Sequence, residues 1–219
     1  MEENGYPKLQ LAIDVFSLPE ALDIIERTYP AVDIIELGTP LILSEGLRVV
    51  EISKERFPDT EYLVDLKLMD GGYDISAAAF RRGADIVTVL ALADNRTISF
   101  AIKAARDLNK KIMVDMINEG NLVARAMELE ALGVPILCLH TPYDRRDEDD
   151  NPLATVEMVR PHVRCLLAIA GGIRLEHVQE AVGAGADIIV VGGGIISSNN
   201  QRRMAEEMKN AMRRFGGGC

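Results

Sequence analysis

Residues 61–90 read EYLVDLKLMDGGYDISAAAFRRGADIVTVL. The run Glu61–Lys67 is rich in aliphatic and aromatic residues, as a strand should be, and carries charge at its end. Ile75–Arg82 follows with helix-forming alanines, and Gly83 stands where a helix commonly ends in a left-handed residue. Ala84–Leu90 is again a β-branched apolar run. Strand, helix and strand within about 30 residues make a βαβ unit, which implies a parallel sheet.

The same unit recurs in both directions along the chain. Further β-rich runs are Leu9–Asp14, Val32–Gly38, Lys111–Ile117, Pro135–His140, Leu166–Gly171 and Ile188–Gly193, which brings the total to eight. They are almost continuously apolar, the pattern of parallel strands buried on both faces. Helices are expected between them. Leu18–Thr28 has Ser17 as its N-cap and Pro19 in its first turn, and Ser44–Phe57 stops at Pro58. Leu122–Leu132 ends at Gly133, and Asn200–Phe215 runs into a glycine-rich end expected to fray. An open doubly wound sheet is the rival arrangement, but eight evenly repeated strands favour closure. The expected fold is therefore α/β, a single (β/α)₈ TIM barrel forming one domain over residues 1–219.

Composition agrees with this. The chain has 219 residues, 48% hydrophobic and 26% charged, with no Trp and five Phe, so its core must be aliphatic. A net charge of −10 argues against a nucleic-acid partner, which needs a clustered basic surface. Cys138, Cys165 and Cys219 form no disulfide framework and no zinc pair, and the first two sit in apolar runs as expected buried thiols. No apolar stretch reaches transmembrane length, and the start MEENGYPK has no signal-peptide character, so a cytoplasmic protein with no membrane partner is expected.

Polar residues collect at one end of these strands. Asp14, Glu36, Asp65, Lys67, Asp115 and His140 fall at or near C-terminal ends, with Asp70 just beyond the third strand. Burying an unpaired charge is costly, and a strand core has no structural need for one. In a barrel that end is where active sites are built. Asp65 and Lys67 are two apart and project to the same side. Alone they would read equally well as a structural ion pair, but the convergence of the others points to chemistry. Gly171-Gly172 and Gly192-Gly193-Gly194 close the last two strands, where barrels bind phosphate through backbone N–H groups. His140 is the one histidine placed for catalysis, while His162 and His177 read as surface residues.

These pieces together resemble a known family. LAIDVFSLPEAL, IIELGTPLILSEGLRVV, the Asp-x-Lys-x-x-Asp pattern in VDLKLMDGG, LHTPYD, IAGGI and VVGGGI occur in the order and spacing of the 3-hexulose-6-phosphate synthases. These belong to the orotidine-5′-phosphate decarboxylase suprafamily, and the resemblance covers nearly the whole chain. It implies aldol addition of formaldehyde to D-ribulose 5-phosphate through a metal-stabilised enediolate, with Mg²⁺ or Mn²⁺ on Glu36 and Asp65. Lys67 would stabilise negative charge, His140 would move the proton, and Asp14 would hold Lys67 or a sugar hydroxyl. Gly171, Gly172, Gly193 and Gly194 would bind the phosphate. Asp70 would come from the partner in a homodimer with shared sites.

The nearest relative is the 3-keto-L-gulonate-6-phosphate decarboxylase branch, which carries arginines where this chain has Tyr143 and, most nearly, Gly193. That favours the synthases. Pro142 replaces a glycine of the synthases, and the segment after Asp144 (RRDEDDNP) is more charged than theirs. Two alternatives stay open: a related phosphosugar decarboxylase, and a phosphosugar-binding barrel without turnover.

Overall fold

A computed structural model of the chain describes residues 7–145 and 152–216. Cys219 and most of the charged segment after Asp144 lie outside the described residues. The strands are β1 (Lys8–Ile13), β2 (Ile34–Leu37), β3 (Glu61–Leu68), β4 (Ile86–Leu90), β5 (Lys111–Asp115), β6 (Ile136–His140), β7 (Leu166–Ala170) and β8 (Ile188–Val191). Each pairs in parallel with the next, and β8 pairs with β1, which closes the barrel. The rival open sheet is excluded, because no strand is left at an edge. Among the described residues, no helix is long and apolar enough to cross a membrane.

Alternation along each strand splits the core in two. Ile34, Leu63, Ile86, Met113, Ile136 and Ile188 point inward and fill the barrel. The intervening residues, such as Ile35, Val64, Val87 and Val114, pack outward against the helices. Fully burying one such side chain stabilises by about 1.5–3 kcal/mol, so the two shells dominate the fold's stability. Cys138 is buried in the inner shell, whereas Cys165 is only half-buried.

The N-terminal end of the barrel is closed by charge. Lys8 and Lys111 both reach Glu61, at 2.9 and 3.5 Å. Asp33, Asp85 and Asp187, each one residue before an even-numbered strand, accept the backbone N–H of Leu9, Tyr62 and Leu167 in the preceding strand. Each also meets a cation, from Lys209, from Lys54 with Lys110, and from Arg160. This recurrent Asp-Ile pair ties the bottom of the barrel together and leaves the opposite rim for ligands.

Two local expectations change. The expected helix Ser44–Phe57 is two helices, Thr39–Glu45 and Arg48–Arg56. Gly46 takes φ +69 between them and ends the first, while Pro40 begins it one turn earlier than expected. Ser17 does sit at the N-cap of Leu18–Thr28, but its side chain makes no capping bond. The carboxylate of Glu45 takes the Leu18 N–H instead.

Candidate active site

At the C-terminal rim the inward-facing positions change from aliphatic to polar. Glu36 lies late in β2, Asp65 and Lys67 lie late in β3, Thr88 lies in β4, Asp115 ends β5 and His140 ends β6. Closure of the barrel brings them together. Lys67 Nζ donates to Asp65 Oδ2 at 2.7 Å and to Asp115 Oδ2 at 3.1 Å. Asp115 Oδ2 also lies 3.0 Å from His140 Nδ1. The result is a continuous chain, Asp65–Lys67–Asp115–His140, built from three strands of the barrel, β3, β5 and β6.

Electrostatics fix the state of its members. Burial lowers the Lys67 pKa, but the charges of Asp65 and Asp115 and their hydrogen bonds outweigh it and raise the pKa above that of an ordinary lysine. Lys67 is therefore held as an ammonium, unsuited to act as a neutral amine nucleophile. Burial pushes Asp115 up, but its bond to His140, the charges of His140 and Lys67 and the Ile117 N–H together hold it below its ordinary range. An ionised Asp115 makes Nδ1 of His140 the protonated nitrogen and leaves Nε2 free to accept a proton.

Glu36 is the opposite case. Desolvation and the nearby carboxylates of Asp65 and Asp14 push it up to about 8, despite a bond from Gln10 and the charge of Lys67. Gln10 Nε2 donates to its Oε2 at 2.8 Å, and Oε1 has no hydrogen bond among the described residues. Two hard carboxylates that feel each other's charge, one raised by burial and by its acidic neighbours and with an oxygen free, suit a divalent cation. No group of three or more His, Cys, Asp or Glu among the described residues could hold a metal ion. A cation here would take much of its shell from water and ligand oxygens, as Mg²⁺ usually does.

The two glycine clusters lie at the ends of β7 and β8. Gly171 has φ +99, and a Cβ there would come within 2.3 Å of the Thr141 carbonyl oxygen, so only glycine fits. Gly172 also has positive φ. Gly193 and Gly194 open the short helix Gly193–Ile196, so their N–H groups have no acceptor within it. A Cβ on Gly193 would meet nothing within 4 Å, so its face is open.

Other expected residues are arranged differently. Asp14 is exposed at the end of β1 and does not hold Lys67, whose described partners are Asp65 and Asp115. Its carboxylate lies beside Gly38, close enough to Glu36 to raise that group's pKa. Asp70 is exposed, and its carboxylate accepts the N–H of Gly71 at 2.7 Å, so it does not join the cluster of its own barrel. His162 is exposed. His177 is half-buried, and its Nδ1 accepts the Arg174 N–H at a helix start, a structural role. Asp115 was visible in sequence as an acid closing an apolar run, but nothing local revealed that it joins Lys67 to His140. Thr39, Thr88 and Gln10, which bond Asp65 and Glu36, gave only the faint signal of polar groups inside or beside apolar strands.

Comparisons with known proteins show the family and the fold. The model of the orotidine 5′-phosphate decarboxylase / HUMPS family matches residues 7–208. The 3-hexulose-6-phosphate synthase of Bacillus subtilis (strain 168) is 42% identical over 204 residues, covering 92% of this chain and 97% of that protein. The crystal structure of 3-hexulose-6-phosphate synthase from Salmonella typhimurium superposes with a TM-score of 0.92 at 36% identity, over 95% of this chain and 99% of the other. The structure of 3-keto-L-gulonate-6-phosphate decarboxylase from Vibrio cholerae O1 biovar El Tor gives 0.85 at 27% identity, over 96% and 99%.

Proposed function

The chain belongs to the orotidine 5′-phosphate decarboxylase / HUMPS family, and on that premise we propose that it condenses formaldehyde with D-ribulose 5-phosphate to D-arabino-hex-3-ulose 6-phosphate, and reverses that reaction. It is a carbon–carbon lyase of the aldehyde-lyase kind, like the synthases that it resembles. The observation that carries the reading is the chain Asp65–Lys67–Asp115–His140 beside Glu36.

The chemistry follows from that arrangement. His140 Nε2 takes a proton from C1 of ribulose 5-phosphate, and the C–H electron pair moves into C1=C2 while the C2 carbonyl becomes an oxyanion. Asp115 holds the ring through Nδ1 and stabilises the imidazolium that forms. The Lys67 ammonium faces the developing negative charge. C1 of the enediolate then attacks formaldehyde, and the aldehyde oxygen takes the proton from His140. Mg²⁺ or Mn²⁺ held by Glu36 and Asp65 would supply further positive charge for the enediolate. The N–H groups of Gly172, Gly193 and Gly194 would bind the phosphate, and Asp14 would contact a sugar hydroxyl.

The active unit in this reading is a cytoplasmic homodimer in which Asp70 serves the partner's site. In support, Asp70 is exposed and turned to Gly71, and apolar Phe16, Leu43, Met69 and Leu92 lie exposed around the same rim. The test is direct. Purified protein with ribulose 5-phosphate, Mg²⁺ and formaldehyde should consume formaldehyde and form a hexulose phosphate. Carbon dioxide release from 3-keto-L-gulonate 6-phosphate with no formaldehyde consumption would assign it to the decarboxylases. Ligand binding without any product would make it a phosphosugar-binding barrel.

A further inference from the structure

From Val64 to Leu68 strand β3 advances four residues, while its partner β4 advances two, from Val87 to Val89. Asp65, Leu66 and Lys67 therefore face a single residue of β4, Thr88. The extra residues form a bulge, and Lys67 within it has φ +44. That left-handed region crowds any side chain with a Cβ, so a lysine stays there only when its surroundings hold it. The bulge also takes the Lys67 N–H out of the strand ladder.

Thr88 supplies what is missing. Its Oγ1 accepts the Lys67 N–H at 2.9 Å. Its one proton goes to Asp65 Oδ1 at 2.6 Å. A single hydroxyl thus ties the backbone of Lys67 to the side chain of Asp65. Thr88 is 3% exposed and faces inward like Ile86 two residues before it, a place where an aliphatic residue would pack as well. We propose that Thr88 is the positioning residue of this site: it holds the β3 bulge, and so aims the Lys67 ammonium between Asp65 and Asp115. Thr88 acts through these residues and not on the substrate. Without the hydroxyl the Lys67 N–H is buried unpaired, the bulge relaxes and Nζ leaves the point from which it reaches both carboxylates.

The kinetic arm of the test rests on the aldolase reading, and a second arm does not. Thr88→Val keeps the shape and removes the hydroxyl, while Thr88→Ser keeps the hydroxyl. Thr88→Val should lower kcat about 10- to 100-fold, the usual cost of misplacing a catalytic group by about an ångström. KM for ribulose 5-phosphate should stay within about 3-fold, because ground-state binding is not touched. Thr88→Ser should recover kcat to within about 3-fold of wild type. In ¹⁵N-lysine-labelled protein the Lys67 amide resonance should move in Thr88→Val and stay in Thr88→Ser, whether or not the wild type has aldolase activity. If Thr88→Val does not fold, Thr88→Ala gives the same comparison with Thr88→Ser. An unmoved Lys67 amide, a kcat within about twofold of wild type without the hydroxyl, or a serine variant as impaired as the others would overturn the proposal.

Discussion

Binding of Mg²⁺ at neutral pH should drive a proton off Glu36. Burial and the carboxylates of Asp65 and Asp14 push this group up to about 8, so at pH 7 without a cation it is about nine-tenths protonated. In the unfolded chain the same carboxyl has its ordinary pKa of 4.5 and is ionised at pH 7. Between these values the native state binds more protons than the unfolded state, so stability falls as pH rises from about 4.5 to 8. Linkage over that interval puts the cost at pH 7 near 3 kcal/mol, and below about 1 kcal/mol at pH 5. Glu36→Gln removes the titration and keeps an acceptor for Gln10. For a chain of this size about 1 kcal/mol moves Tm by roughly 2–4 °C. The metal-free variant should therefore melt about 6–12 °C above wild type at pH 7, with little difference at pH 5. Calorimetric titration of wild type with Mg²⁺ at pH 7, in two buffers of different protonation enthalpy, should show close to one proton released; at pH 9 it should show little. Glu36→Gln should show neither the release nor the Mg²⁺-induced rise in Tm. Saturating Mg²⁺ binding without proton release at pH 7, or an undiminished Mg²⁺ response in Glu36→Gln, would refute the assignment.

The remaining predictions concern the relay, the phosphate and the partner. His140→Ala should lower kcat by at least about 10²-fold and slow exchange of the substrate's C1 proton with deuterated water without formaldehyde, and Asp115→Asn should do the same by turning the ring to the wrong tautomer; exchange at the parent rate in either would make another group the base. Gly193→Val should raise KM for the phosphorylated substrate with Tm nearly unchanged, because a side chain there meets open space, whereas Gly171→Ala should lower Tm through its clash with Thr141; an unchanged KM for Gly193→Val would move the phosphate elsewhere. Lys67→Ala and Asp70→Ala should each be nearly inactive, yet subunit exchange between them should recover up to about a quarter of wild-type activity, by binomial mixing of a symmetric dimer. No recovery after proven exchange would mean that Asp70 serves its own barrel.

Much of the architecture is local information. The period-2 burial of a strand, the helix that follows it and the glycine after that helix are written within about 30 residues, which is why all eight strands were legible in order. So was the gathering of Asp14, Glu36, Asp65, Lys67, Asp115 and His140 at one rim, since in a parallel barrel all C-terminal strand ends face one way. The boundary at Gly46 was misread because a positive φ and a proline-started helix compete there with an uninterrupted apolar pattern.

What no local pattern determines is which rim residues touch. Lys67 and Asp115 are 48 residues apart, and Asp115 and His140 are 25 apart. Their contact depends on the stagger of the closed barrel, which brings the rim ends of β3, β5 and β6 to one height, with β4 between the first two. The i, i+2 rule correctly put Asp65 beside Lys67, but it assumed a regular strand. The pair actually meets across a bulge held by Thr88 on another strand. Asp14 failed to reach Lys67 for the complementary reason: both lie at strand ends, yet being at the same rim is not being in contact. The residue types at the rim follow from sequence because charge tolerates the mouth of a barrel and not its core; their pairing follows only from closure, because side-chain bonds form over a few ångströms and the barrel's register sets those distances.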